Sequence, residues 1–231
     1  MWHVLNAKDF NPKYMKRFPR SQIIGTPSKN GVVRRVEYKG NPVKFVSKEI
    51  PKTKLSIFKK EIYVGQLPHV EKFGPRVVAY RILSDRCEYI MDNFIRGHKD
   101  LHVLTLDQYK KKIGIVPFMI WKMFYKSLLS FYKVTHGYHG DLHTNNIAII
   151  FKKSKPIQVQ IYDYGTWRPF TSQIPKNSSL LNYLSYERAS PKNKQIRPGV
   201  YAPSNDGQLY RRNINTLQSA ALRAFYKINT Y

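Results

Sequence analysis

One stretch constrains this chain more than any other. It runs from an amphipathic segment at 117–134, through a polar loop, into a short hairpin. Pro117 suits the first turn of a helix. Phe118, Trp121, Phe124, Tyr125, Leu128, Phe131 and Tyr132 recur at helical spacing and predict a wide buried stripe. The loop that follows reads His139-Gly140-Asp141-Leu142-His143-Thr144-Asn145-Asn146. Two short strands are expected next, Ile147 to Phe151 and Ile157 to Tyr162, and the second ends on Asp163-Tyr164-Gly165. Acidic residues are scarce, 14 against 40 lysines and arginines. Carboxylates in apolar surroundings, such as Asp141, Asp163 and Glu61, therefore need a reason.

Phosphoryl transfer would supply one. It needs a carboxylate beside the attacking hydroxyl, and a second carboxylate with another oxygen ligand to hold Mg²⁺ on the phosphates. Asp141 is the candidate for the first role, and Asn146 and Asp163 for the metal. Gly165 is expected to let the backbone turn sharply after the metal ligand. His136, His139 and His143 lie close in sequence and offer a zinc site as the rival reading of the same loop.

The loop and the Asp-Tyr-Gly resemble the H-x-D-L-x-x-x-N catalytic loop and D-F-G motif of the protein-kinase superfamily. The His-Gly-Asp-Leu-His form is nearest the aminoglycoside and choline kinase branch. Asp-Tyr-Gly resembles vaccinia-related kinases. The resemblance implies an α+β, bilobal protein-kinase-like fold: an N-lobe of antiparallel sheet plus one helix over 21–95, and a reduced, mainly helical C-lobe over 96–231. Residues 1–20 would be a basic arm. ATP and Mg²⁺ would be the cofactors, and His139 would organise the loop by bonding backbone.

The upstream segments are placed accordingly. Ile23-Ile24-Gly25 leads to a polar turn at Thr26 to Asn30, and Gly31 to Tyr38 and Val43 to Ile50 read as strands. Residues 54–67 read as a helix, 77–83 and 87–95 as strands, and Leu101 to Ile115 as one helix. In the family pattern V-A-I-K the lysine shares a strand face with the residue two before it. Val46 and Lys48 meet this, which favours Lys48 as the phosphate lysine, with Lys44 the alternative. Glu61, on the following helix, would pair with it. Met91 would guard the back of the nucleotide pocket, and backbone near Asp92 to Phe94, Asn93 included, would meet the adenine edge. Gly25 and Gly31 stand where a glycine-rich phosphate loop belongs, although the middle glycine is missing and Pro27 stiffens the turn.

Other departures bear on the acceptor. Gly140 replaces the arginine of H-R-D, and His143 replaces the lysine usual in serine/threonine kinases. No A-P-E follows, so the C-lobe resembles that of RIO-like and other minimal kinases. Asp206 is a candidate brace for the catalytic loop, and Asn213 to Tyr226 a last helix. The expected activity is transfer of the γ-phosphate of Mg-ATP to a serine or threonine hydroxyl of a protein substrate. The rival readings are a small-molecule kinase, a pseudokinase or virion scaffold with a basic surface, and a nucleic-acid-binding module.

A net charge of +26 suits non-specific affinity for nucleic acid or other polyanions. No zinc-finger spacing or RNA-recognition aromatic motif is present. The lone Cys87 builds no disulfide framework and points to a reducing, intracellular setting, cytoplasmic or nuclear. No apolar run reaches the roughly 18 residues of a membrane span. The Lys/Asn/Ile/Tyr-rich composition resembles that of kinases of large DNA viruses, which would make the protein virion-associated.

Overall fold

The computed structural model describes residues 1–17, 23–28 and 31–170. The fold is mixed α+β, built on a curled antiparallel sheet with few helices. Its strands are β1 (His3–Val4), β2 (Met15–Arg17), β3 (Ile23–Ser28), β4 (Gly31–Tyr38), β5 (Asn41–Pro51), β6 (Val77–Ile82) and β7 (Arg86–Asp92). Spatial order is β1-β6-β7-β5-β4-β2, with β3 also on β4. Helix α1 (Leu55–Gly65) crosses between β5 and β6. It buries Phe58, Ile62 and Val64, and Phe58 and Ile62 pack with Ile50, Cys87 and Tyr89 of the sheet.

The N-terminal segment expected as an arm is knitted into this sheet. β1 pairs β6, β2 pairs β4, and Phe10 between them is buried against Tyr38 and Phe45. β3 continues to Ser28, which pairs with Gly31, so strand occupies most of the span expected as a turn. The strand expected over 87–95 stops at Asp92.

The second part begins with a correction. Leu101 to Ile115 is not one helix: β8 (Leu101–Thr105) is a strand, and α2 (Leu106–Ile113) starts at its end. Thr105 closes a capping box with Gln108, each side chain bonding the other's backbone N–H, and this fixes the switch between elements. Helix α3 (Phe118–Thr135) follows, then β9 (Gly137–Tyr138), β10 (Ile147–Lys152), β11 (Lys155–Ile161) and β12 (Arg168–Pro169). β10 is the centre of a three-stranded antiparallel sheet, β11-β10-β8, and β12 pairs β9.

The apolar stripe of α3 packs on one face of this small sheet. Trp121, Phe124, Leu128, Phe131 and Tyr132 join Ile147, Ile149, Val159 and Ile161 in one core. Phe118, expected in the stripe, lies 45% exposed at the helix start. Among the described residues from 96 onward, a three-stranded sheet accompanies the two helices, which the expectation of a mainly helical part did not include. Asp206 and the helix expected at Asn213 to Tyr226 lie outside the described residues. No described helix is long and apolar enough to cross a membrane.

Candidate functional site

The candidate site lies where the large sheet, α1 and the end of β11 meet. β5 alternates its side chains across the sheet, and Lys48 projects from it towards α1. There its Nζ sits 2.7 and 3.0 Å from the two carboxylate oxygens of Glu61 and 3.0 Å from Asp163 Oδ1. The Lys48 and Glu61 side chains are only 9% and 3% exposed. Tyr89 donates its hydroxyl to the second Glu61 oxygen. Sequence reasoning missed Tyr89; its place beside Lys48 on the paired strand was the available signal. Lys44, the alternative lysine, lies instead over the rings of Tyr38 and Phe45.

Electrostatics follow from this packing. Burial would discharge Lys48, but the Glu61 and Asp163 carboxylates reverse that and hold its pKa above the ordinary lysine value. Burial opposes ionisation of Asp163 as well, yet Lys48 holds it below the usual carboxylate range. Glu61 is pushed up by burial against the pull of Lys48. Two carboxylates thus share one ammonium, and a cation or a phosphate-borne metal would complete the charge balance.

The loop before β10 is held from within. Asp141 N–H donates to His139 Nδ1 at 3.3 Å, so Nε2 carries the proton and donates to the Tyr162 carbonyl at 2.9 Å. His139 is fully buried, and burial pushes its pKa down, which keeps the ring neutral at pH 7. The Asn146 side-chain amide donates to the Asp141 carbonyl at 2.9 Å. The Asn146 carbonyl accepts from Tyr162 N–H at 3.1 Å and ties the loop to the residue before Asp163. Thr166 adds a bond to the His139 carbonyl at 2.9 Å. The three loop histidines do not converge: His136 is the exposed C-cap of α3, and His143 Nδ1 accepts from Asn145 N–H. Among the described residues no group of three or more His, Cys, Asp or Glu is placed to hold a metal ion. An Mg²⁺ site would rest on the Asn146 side-chain oxygen and the Asp163 carboxylate, both hard oxygen donors that fit this ion.

Around Asp163 the expected geometry changes in one respect. The left-handed turn falls on Asp163 itself, at φ 65°, and not on Gly165. Gly165 is needed for a different reason: a Cβ there would stand 2.5 Å from Ile57 Cγ2 on α1. Tyr164 is buried between Phe73 and Phe131 and satisfies its hydroxyl on the Ile161 carbonyl at 2.7 Å.

A cavity of about 570 Å³ opens from this cluster. Its walls include Lys48, Glu61 and Asp163 together with Val46, Met91, Asn93, Phe94 and Tyr162. Gly31 is on the wall, at φ 147°, where a Cβ would meet the Glu49 carbonyl at 2.4 Å. Asp141 and Asn146 are not on the wall but in the adjoining loop. Gly25 falls within β3. The N–H groups of Asp92 and Asn93 are committed to the carbonyls of Arg76 and Lys44, so they are not the groups that would meet a base. Leu101, Val103, Thr105 and Gln108 extend the cavity over β8, a wall the sequence did not reveal because the segment read as helix. No family model matches the chain, and no curated protein matches it.

Proposed function

We propose that this protein is an ATP-dependent phosphotransferase of protein-kinase type, bilobal in the manner of that superfamily, acting on serine or threonine hydroxyls of proteins. The observation that carries the reading is Lys48, held between Glu61 and Asp163 from distant parts of the chain in the wall of a cavity. The cavity volume falls within the roughly 300–1,000 Å³ usual for small-ligand sites. Its apolar lining, with Val46, Met91 and Tyr162, suits a planar base.

In this reading Lys48 leaves Asp163 to meet the α- and β-phosphates, while Glu61 and Tyr89 keep its ammonium in place. Asp163 and Asn146 hold Mg²⁺, which when bound neutralises charge developing on the phosphates. Asp141 orients and deprotonates the acceptor hydroxyl. His139 and Asn146 fix the Asp141 backbone, which limits the positions its carboxylate can take before substrate arrives. At the base end, the Asp92 carbonyl and the Phe94 N–H are the backbone groups proposed to read the adenine edge.

The test is ATP turnover with acidic and basic protein substrates and with a panel of aminoglycosides, cholines and sugars. Wild type should label a protein. Asp141→Ala and Asp163→Ala should each lose about a hundredfold or more. Turnover equal to wild type in both variants would overturn the assignment.

A further inference from the structure

The connection between α2 and α3 carries an exposed apolar tip in a basic setting. Ile113, Ile115, Phe118 and Met119 are 55%, 84%, 45% and 55% exposed, within a stretch of nine residues from Lys111. Large apolar side chains scattered singly on a surface need no explanation, but four on one helix–helix connection do. Lys111 and Lys112 flank the tip on α2, and Lys122 and Lys126 project from the next turns of α3, all exposed. Asp107 is the single acid of the stretch 106–126, and it sits a turn away from the tip, paired with Lys111 at 2.9 Å.

Exposed apolar side chains at a helix–helix connection, flanked along the chain by exposed lysines, match the boundary of an anionic bilayer. The tip can enter the acyl boundary while the ammonium groups stay at headgroup level. Each lysine near such a surface adds attraction, and the +26 net charge of the chain adds a long-range field of the same sign. A nucleic acid would use the lysines but has no use for Ile115 and Phe118. An acidic protein would meet the lysines, but the apolar side chains at the tip would then need a matching apolar partner face, whereas lipid supplies both layers at once.

We infer that the α2–α3 connection is a peripheral membrane-binding element, which lays Ile113, Ile115, Phe118 and Met119 against a surface of anionic phospholipid. Thr105 and Gln108 near the other end of α2 line the cavity, so docking would place the cavity within one short helix, at most about 12 Å along its axis, of the lipid-facing tip. This inference does not depend on the proposed chemistry.

The experiment is sedimentation of the full chain with vesicles of phosphatidylcholine alone and with about one-third phosphatidylserine. Binding should require the anionic lipid. Ile115→Asp and Lys112→Glu, both at exposed positions where folding is spared, should each weaken it by roughly tenfold. In a parallel sample, Ile115→Trp should fluoresce as an exposed indole without vesicles and shift to the blue when anionic vesicles are added. Binding unaffected by Ile115→Asp would overturn the inference, since only surface charge would then be at work. An indole at 115 already blue-shifted in buffer would also overturn it, by showing that protein covers the tip, as would equal affinity for both vesicle types.

Discussion

Two clusters in the molecule share one composition, a cation between two carboxylates. Lys48 stands between Glu61 and Asp163, and Arg76 between Asp9 and Asp92. Arg76 ties the N-terminal segment to the strand ends; its side chain is 31% exposed and that of Asp9 is 40%. A further charge, Arg96, lies near enough to draw on Asp92, so the excess acid there is offset. The Lys48 cluster is buried, joins α1 to the end of β11, and faces a cavity. Equal counts of charges thus differ in what they cost. At the Arg76 cluster water reaches Arg76 and Asp9 while the Asp92 side chain is only 10% exposed, so only the Asp9 half is well screened. The Lys48–Glu61 pair is buried on both sides and keeps more of its Coulomb energy.

The difference can be broken by substitution. Lys48→Met would leave the buried Glu61 and the half-buried Asp163 without their cation. It should cost about 3–5 kcal/mol in urea unfolding and abolish the proposed turnover. Arg76→Met leaves Asp9 to water and the buried Asp92 to Arg96, and should cost less, about 1–3 kcal/mol. If the two losses are equal, burial does not separate the clusters as described. Adding Glu61→Gln to Lys48→Met should recover part of the stability and none of the activity.

Gly165→Ala probes how closely α1 rests on the turn that presents Asp163. The added methyl meets Ile57, and overpacking of this kind costs roughly 1–3 kcal/mol. An Ile57→Ala background should relieve most of that cost. Measuring both variants by chemical denaturation shows whether the contact is as tight as the distance implies.

His139 gives a pH signature in the range where histidines titrate. Its folded pKa lies below the ordinary 6.5. Below that ordinary value the unfolded chain takes up a proton that the buried ring refuses. Stability should therefore fall as pH drops from about 7 towards 5, by at most about 1.4 kcal/mol per unit from this group. His139→Gln should flatten that slope. The smallest effect is expected at Thr105→Ala, which removes the cap of α2 for about 1 kcal/mol and should leave the Lys48 cluster unchanged.

Much of this arrangement was legible because its signals are local and strong. The stripe of α3, the alternation in β4 and β5, and the polar loop with Asp141 and Asn146 each span enough residues to be read by period or by chemistry. The choice of Lys48 over Lys44 followed from the resemblance to V-A-I-K, since both lysines fall on one face of the strand, and Lys48 is the one of the two that contacts Glu61. What escaped was short or relational. β1 and β2 have two and three residues, too few to show a period, and they exist because the edges of a larger sheet receive them. Leu101 to Thr105 is a brief apolar run that β10 recruits as a strand, while the pattern alone allowed a helix. The hydroxyl of Tyr89 on Glu61 and the space that Gly165 leaves for Ile57 are contacts between distant segments, and no spacing rule encodes them.

The most direct test of the Lys48 cluster is the unfolding free energy with and without saturating ATP and Mg²⁺, in wild type and in Asp163→Asn. Wild type at about 100 times its dissociation constant should gain about 2.7 kcal/mol, and the variant should lose most of that gain. No gain in wild type, or an equal gain in the variant, would contradict a site in which Lys48, Glu61 and Asp163 together receive a metal-bound nucleotide.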